Sequence, residues 1–106
     1  MSDKVKTILS ELRARFEALY GPRLVRMVLY GSQARGDAEP GSDIDVLVVL
    51  QGAVDPSEEI QRTLDDTVRL SYAYGESIMC VFVSADEYAQ ERSPLLLNVR
   101  REGTPV

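Results

Sequence analysis

The chain has 106 residues, 44% hydrophobic and 27% charged, which predicts one globular domain over residues 1–106 with no room for a separate substrate domain. Its 12 basic and 17 acidic residues give a net charge of −5, which argues against an extended nucleic-acid surface. The absence of histidine and the single cysteine exclude histidine-based zinc sites, Cys-His catalysis and an internal disulfide.

The apolar segments of the sequence are all short. None approaches the roughly 20 residues that a membrane-spanning helix needs, and the first residues begin an amphipathic pattern that differs from a signal peptide. The one cysteine, Cys80, lies in an apolar run and is expected to be a small core residue. These features favour a cytoplasmic protein without membrane contact.

The chain begins with a helix and a strand. Residues 3–20 show helical periodicity that ends at Gly21, and residues 24–30 form an apolar run typical of a strand. The predicted buried positions of the helix are Val5, Ile8, Leu9, Leu12, Phe16 and Leu19. The helix is therefore expected to cover one face of a sheet.

A short segment then leads to a second strand. Residues 32–37 are expected to form a short helix that ends at Gly36, and residues 38–41 carry a strong turn signal. Residues 44–50 are nearly all apolar, which is typical of a central strand buried on both faces.

The remaining elements alternate in the same way. A long helix is predicted over residues 57–74 and a third strand over residues 77–83. The helix residues expected to face the core recur every four positions: Ile60, Leu64, Val68 and Tyr72. Its expected solvated face comprises Glu58, Glu59, Asp65 and Asp66. Ser84 begins a capping box, and Ser93 precedes a last helix over residues 95–102. This order predicts an α/β fold, with helices packed on a sheet of at least three strands.

Two motifs lie next to the first two strands. Gly31 follows the first strand directly, where glycine allows a sharp turn and the close approach of a ligand. Ser32 can cap the next turn or turn its hydroxyl and N–H to a phosphate, with Arg35 one turn further on. Asp43 and Asp45, two residues apart, are expected on one face with Cα atoms roughly 6.5 Å apart. Such a pair favours a hard divalent cation such as Mg2+.

Singly, each motif is typical of an ordinary turn or a solvated strand end. Together, with ten residues between Ser32 and Asp43, they resemble the nucleotidyltransferase superfamily typified by DNA polymerase beta. The resemblance is strongest to its minimal nucleotidyltransferases, which are often encoded beside a HEPN-domain protein. The match covers residues 30–50, and the Arg100-Arg101-Glu102-Gly103 ending is also similar to these short proteins.

The resemblance implies a mixed sheet and an enzyme that transfers a nucleoside monophosphate, most simply AMP from ATP, to a protein or nucleic-acid hydroxyl. It assigns Mg2+ binding to Asp43 and Asp45. It assigns the β- and γ-phosphates to Gly31 and Ser32, with a further phosphate contact from Arg35.

Active members of the family also carry a third carboxylate on the next core strand. Residues 77–83 contain none, and the nearest candidate is Glu76, for which a solvated surface role is the alternative.

Two further functions stay open. The missing third acid allows a weakly active or inactive subunit that acts by binding a partner. In HEPN-associated families such a partner is a toxin-like ribonuclease, and the nucleotidyltransferase is its antitoxin. The small size also allows a module that a partner chain or a homo-oligomer completes. The apolar residues 94–97 are then a possible contact surface or, alternatively, core packing of the last helix.

Overall fold

The computed structural model describes residues 1–90 and 93–106. The helices are α1 Asp3–Tyr20, α2 Ser32–Arg35, α3 Pro56–Tyr74, α4 Ala85–Gln90 and α5 Pro94–Glu102. The strands are β1 Leu24–Tyr30, β2 Ile44–Leu50, β3 Ile78–Ser84 and β4 Thr104–Pro105. A short 3-10 turn, Gly21–Arg23, joins α1 to β1.

The four strands form one mixed sheet in the order β3-β2-β1-β4. Strand β1 runs antiparallel to β2 and β4, whereas β2 and β3 are parallel and are joined by α3 as a crossover helix. The predicted α/β class and mixed sheet are therefore confirmed. Strand β4 is an addition that the sequence did not indicate.

The central strand β2 separates two apolar cores. Its side chains alternate between the faces, so that Val46 and Val48 join the core under α1, while Leu47 and Val49 join the core under α5. Cys80 packs partly buried against the α1 core, and burial raises the pKa of its thiol to about 12. The thiol therefore stays protonated at neutral pH.

The helix ends follow the local sequence signals. Ser84 Oγ accepts a hydrogen bond from the Glu87 backbone N–H while Glu87 accepts one from the Ser84 N–H, which completes the predicted capping box. Ser93 caps α5 through the Leu96 N–H. None of the helices in the described ranges has the length and apolar character that a membrane span requires.

The burial of three helices differs from the prediction. Leu19 and Leu97 are exposed, and Tyr20 is buried in place of Leu19. The predicted core stripe of α3 is also wrong, because Ile60, Leu64, Val68 and Tyr72 all face outward. Helix α3 instead buries Glu59, Thr63 and Leu70. The reason is a buried polar contact, in which the Tyr20 hydroxyl donates to the Glu59 carboxylate at 2.7 Å.

Candidate nucleotide site

The turn between β1 and α2 is built on Gly31. Its φ of 77° and ψ of −159° belong to a region that is almost restricted to glycine. The Gly31 carbonyl accepts hydrogen bonds from the N–H groups of Ala34 and Arg35, both at 3.1 Å. Helix α2 then ends at Gly36, as predicted, and Gly36 adopts the left-handed conformation that is common at helix ends. The N-cap is Gly31, so Ser32 does not cap the turn, and its hydroxyl remains available to a ligand.

The Asp45 side chain lies against this turn. It projects from β2 toward the same face as Leu47, which is the face that α5 covers. A Cβ atom at Gly31 would come within 2.5 Å of Asp45 Oδ2, so only glycine leaves room for the carboxylate. The structure thus brings together two predicted site residues that are 14 positions apart, 45 − 31, in the chain.

The two aspartates differ in their surroundings. Asp43 is exposed in the loop before β2, whereas Asp45 is half-buried. Burial is the main cause that raises the pKa of Asp45, and the negative charge of Asp43 raises it further, while Arg35 opposes both. The described residues provide neither carboxylate with a hydrogen bond or an ion pair. The pair therefore carries like charges that a bound cation would relieve.

Arg35 and Glu102 close the other side of the site. Arg35 Nη1 donates to both carboxylate oxygens of Glu102 at 3.2 Å, and Arg35 Nε donates to Asp37 at 3.2 Å. Glu102 Oε1 also accepts a hydrogen bond from the Gly31 backbone N–H at 3.2 Å. Two groups predicted to bind phosphate, the Gly31 N–H and the Arg35 guanidinium, are thus held by one carboxylate.

Sequence reasoning missed the position of Glu102, although its signal was the Arg100-Arg101-Glu102-Gly103 ending. Helix α5 packs Leu96 and Val99 into the core on the Asp45 face of the sheet. This packing directs the last turn of the helix, which carries Glu102, toward Gly31.

A second residue that the sequence did not single out is Tyr30. It pairs with Asp45 in the antiparallel register of β1 and β2. Burial raises the pKa of the Tyr30 hydroxyl, and the charge of Asp45 raises it further. Tyr30 therefore stays neutral and forms part of the wall beside Asp45.

The position beside Asp45 on β3 is occupied by Met79. Strand β3 has no carboxylate, and Glu76, predicted as a substitute, instead forms an ion pair with Lys4 of α1 at 3.2 Å. Helix α1 packs on the opposite face of the sheet from Asp45. Within residues 1–90 and 93–106 no three acidic, cysteine or histidine side chains converge as a metal-binding group. The structure therefore does not bring Glu76 together with the two aspartates, because its charge is paired elsewhere.

The arrangement of these residues defines a class of protein. Two carboxylates, a glycine turn and a guanidinium are groups that can hold a metal-bound polyphosphate. The sequence profile of the nucleotidyltransferase domain family matches residues 6–93. The chain belongs to this family and is a nucleotidyltransferase.

Individual relatives agree with this class. The chain is 28% identical over 102 residues to a candidate protein adenylyltransferase from Methanocaldococcus jannaschii, covering 93% of this chain and 69% of that protein. It is similar to a solved candidate minimal nucleotidyltransferase at 25% identity and a TM-score of 0.58, covering 96% of this chain and 95% of that one.

A third likeness is to a chain of a solved complex of a tri-AMPylated Shewanella oneidensis HEPN toxin with an MNT antitoxin. The identity is 19% and the TM-score 0.54, and the alignment covers 96% of this chain and 68% of that one. At this identity the likeness shows the fold alone.

Proposed function

We propose that the protein transfers AMP from ATP to a hydroxyl group of a macromolecular acceptor, with Mg2+ as the required metal ion. The acceptor oxygen forms a bond to the α-phosphorus, pyrophosphate leaves, and the hydroxyl proton is lost. The observation that carries this proposal is the pair Asp43 and Asp45, whose carboxylates have no hydrogen bond or ion pair among the described residues, with Asp45 directly against the Gly31 turn.

The residues present fit a divalent cation. Asp43 and Asp45 supply hard oxygen ligands, and the pKa of Asp45 is raised first by burial and second by the charge of Asp43, both of which a bound cation would offset. When bound, Mg2+ would neutralise the phosphates and stabilise the charge that develops in the transfer. Asp43, which is exposed, is the ligand that solvent and nucleotide reach first.

The phosphates would contact the neighbouring turn. We assign the β- and γ-phosphates to the Gly31 N–H and to the N–H and hydroxyl of Ser32, with Arg35 as a further contact. Because Glu102 accepts hydrogen bonds from Gly31 and Arg35, a phosphate that uses these donors must displace or share its carboxylate. Nucleotide binding is therefore expected to loosen the Glu102 contact.

A HEPN-domain protein is the acceptor and partner that we propose, with this chain as its antitoxin. The proposal rests on the resemblance of the Gly31-Ser32 and Asp43-Asp45 motifs to minimal nucleotidyltransferases. It is supported by the adenylyltransferase name of one relative and by the toxin-antitoxin complex among the similar folds. The acidic net charge of −5 favours a protein over an extended nucleic-acid surface.

A weakly active or inactive subunit that acts by binding its partner is the second candidate. The specific observation in its favour is Met79, which occupies the position on β3 next to Asp45. The proposed role of Glu76 as a third carboxylate stays a prediction. Measuring AMP transfer by Glu76→Gln and by Lys4→Gln tests this role, because both substitutions break the same ion pair. Loss of transfer in Glu76→Gln alone would mean that Glu76 has a role beyond the ion pair.

The nucleotide site is tested by calorimetric titration with ATP, with and without Mg2+. We expect metal-dependent binding that is lost in the Asp43→Asn/Asp45→Asn double variant. Asp86→Asn is a matched control, because Asp86 is an exposed aspartate of α4, which follows the far end of β3. Equal affinity of the wild type and the double variant would refute the site assignment.

The transfer itself is tested with ATP labelled at the α-phosphate, Mg2+ and a HEPN-domain protein as the proposed partner. Label on the partner, absent with the double variant, would establish transfer. A stable complex that neutralises the partner without label would favour the binding subunit instead. Cell fractionation of the tagged protein tests the proposed cytoplasmic location.

A further inference from the structure

The outer face of α3 carries an apolar stripe that nothing in the described part of the chain covers. The α3 stripe consists of Ile60, Leu64, Val68 and Tyr72, which are 47%, 52%, 46% and 89% exposed. Its residues are four positions apart, so they form one continuous ridge along the helix. Single exposed apolar residues are common, but a contiguous ridge of this kind marks an interaction surface.

A shallow groove runs beside the α3 stripe. It lies between α3 and the edge strand β3 and has a volume of about 180 Å3. Ile60 and Leu64 form one wall, and Ile78, Met79 and Phe82 form part of the other. The face therefore offers a ridge and a groove next to each other.

The charges beside the α3 stripe are balanced within the helix. One flank of the α3 stripe, the charged flank, carries two ion pairs. Arg69 pairs with Asp65 at 3.1 Å and Arg62 pairs with Glu58 at 2.9 Å, so this flank has no net charge. The opposite flank presents Thr67 and has no charged side chain next to the stripe. A strongly basic or acidic partner would gain no electrostatic attraction from such a neutral surface, whereas an identical surface of a second copy has the same balance of charges.

We propose that the α3 stripe is the interface of a two-fold symmetric homodimer. A two-fold axis between Leu64 and Val68 sets the two α3 helices antiparallel, so that Leu64 lies near Val68 of the second copy and Ile60 near its Tyr72. Ridges of residues four apart pack into each other in the most common class of helix pairs. The same axis brings the flanks that carry Asp65 and Arg69 in the two copies to one side of the interface, where Asp65 lies two residues along the helix from both Asp65 and Arg69 of the second copy.

The first experiment is analytical ultracentrifugation of the full chain over a protein concentration series. We expect a monomer-dimer equilibrium that Leu64→Arg weakens by at least about tenfold. Leu19→Arg is the matched control, because Leu19 is an exposed leucine of α1 outside the α3 stripe, and it should leave the dissociation constant unchanged. Val68→Gln, a milder change, should weaken the dimer with retained helical circular dichroism.

A charge exchange separates contacts between copies from contacts within one helix. Asp65→Arg makes the flank basic and Arg69→Asp makes it acidic, so each variant alone should dimerise more weakly than the wild type. An equimolar mixture of differently tagged variants should form mainly the mixed dimer, which native mass spectrometry detects. An intrahelical role for the Asp65–Arg69 pair alone gives no preference for the mixed dimer.

Three results would overturn the proposal. They are a wild type that is monomeric at every concentration, a dimer that Leu64→Arg leaves intact, and a random distribution of dimers in the mixture. Loss of binding to a HEPN-domain protein in Leu64→Arg, with a monomeric wild type, would assign the face to that partner instead of a second copy.

Discussion

A Cβ atom built on Gly31 would lie 2.5 Å from Oδ2 of Asp45, closer than a real Cβ approaches an oxygen atom. The glycine turn and the half-buried Asp45 are therefore parts of one arrangement. The backbone at Gly31 comes close to the Asp45 carboxylate because glycine has no side chain to separate them. A nucleotide held by the turn would reach Asp45 for the same reason.

Gly31→Ala should consequently damage both stability and binding. The new methyl group must displace the Asp45 carboxylate, and alanine is strained at a φ of 77°. We expect a loss of roughly 2 kcal/mol or more in the free energy of unfolding and no metal-dependent ATP binding. Urea unfolding and calorimetry measure the two effects.

Gly52→Ala is the control for the backbone strain. Gly52 has a φ of 83°, and its added Cβ would meet no atom within 4 Å. This variant should lose roughly 1 to 2 kcal/mol of stability and retain ATP binding. If Gly31→Ala also retained full binding, the assigned contact between the turn and Asp45 would have no functional role.

Asp45→Asn should stabilise the fold in the absence of metal while removing nucleotide binding. Because burial and Asp43 raise the pKa of Asp45, the folded protein keeps this proton to a higher pH than the unfolded chain does. Ionisation of Asp45 therefore lowers stability as the pH rises through the interval between these two pKa values, and stability stays lower above it. The asparagine variant should have a Tm that is higher by a few degrees at pH 7.

The measurement is thermal unfolding of both proteins from pH 3 to pH 8 with a metal chelator present, the range in which a carboxyl group titrates. The gain in Tm should be largest at neutral pH and should shrink in acid, where Asp45 is protonated in both states. A gain that is equal at all pH values would mean that repulsion and burial of the charge are not its cause.

Much of the fold and the site could be predicted from short-range signals. Gly36 ends α2, Ser93 caps α5, and the apolar run before Gln51 forms the central strand, because each feature depends on residues a few positions apart. The positions of Gly31 and Asp45 follow from the same elements, since the residue after β1 and the first residues of β2 meet at one end of an antiparallel pair.

The orientation of α3 could not be predicted in this way. Its periodicity indicates an apolar inner face, but Glu59 is buried through a hydrogen bond from Tyr20 and an ion pair with Arg62 at 3.0 Å. Tyr20 lies 39 residues away, so no local pattern reveals it. The Glu102 contact with Gly31 spans 71 residues and was missed for the same reason.

Glu102→Gln should strengthen ATP binding. The carboxylate holds the Gly31 N–H and the Arg35 guanidinium, and its negative charge repels a phosphate at these donors. Glutamine at position 102 keeps an oxygen that can accept the Gly31 N–H but removes the charge. We therefore expect ATP affinity to increase roughly twofold to fivefold, which corresponds to the free energy of an exposed ion pair. Glu58→Gln, on the charged flank of α3, is the control.

The gain should fall as the salt concentration increases, because screening weakens the repulsion in the wild type. A loss of affinity in Glu102→Gln would instead mean that the carboxylate holds the turn in its binding shape and does not compete with phosphate.

Met79→Asp tests whether the absence of a third carboxylate limits the activity. Met79 pairs with Asp45 in the β2-β3 register and is half-exposed, so an aspartate there adds a charge next to the other two without creating a buried cavity. Three carboxylates repel one another without metal, so we expect Met79→Asp to have a lower Tm than the wild type in chelator. Adding Mg2+ should raise the Tm of the variant by more than it raises the Tm of the wild type. Transfer of label from ATP should rise by about tenfold or more if the missing acid is the limitation.

Met79→Asn is the matched variant, with the same shape and no charge, and it should show neither effect. If Mg2+ raised the Tm equally in the wild type and both variants, position 79 would not face the metal. If Mg2+ stabilised Met79→Asp more strongly but transfer were no faster, the step that limits the activity would lie in the acceptor or in the release of product.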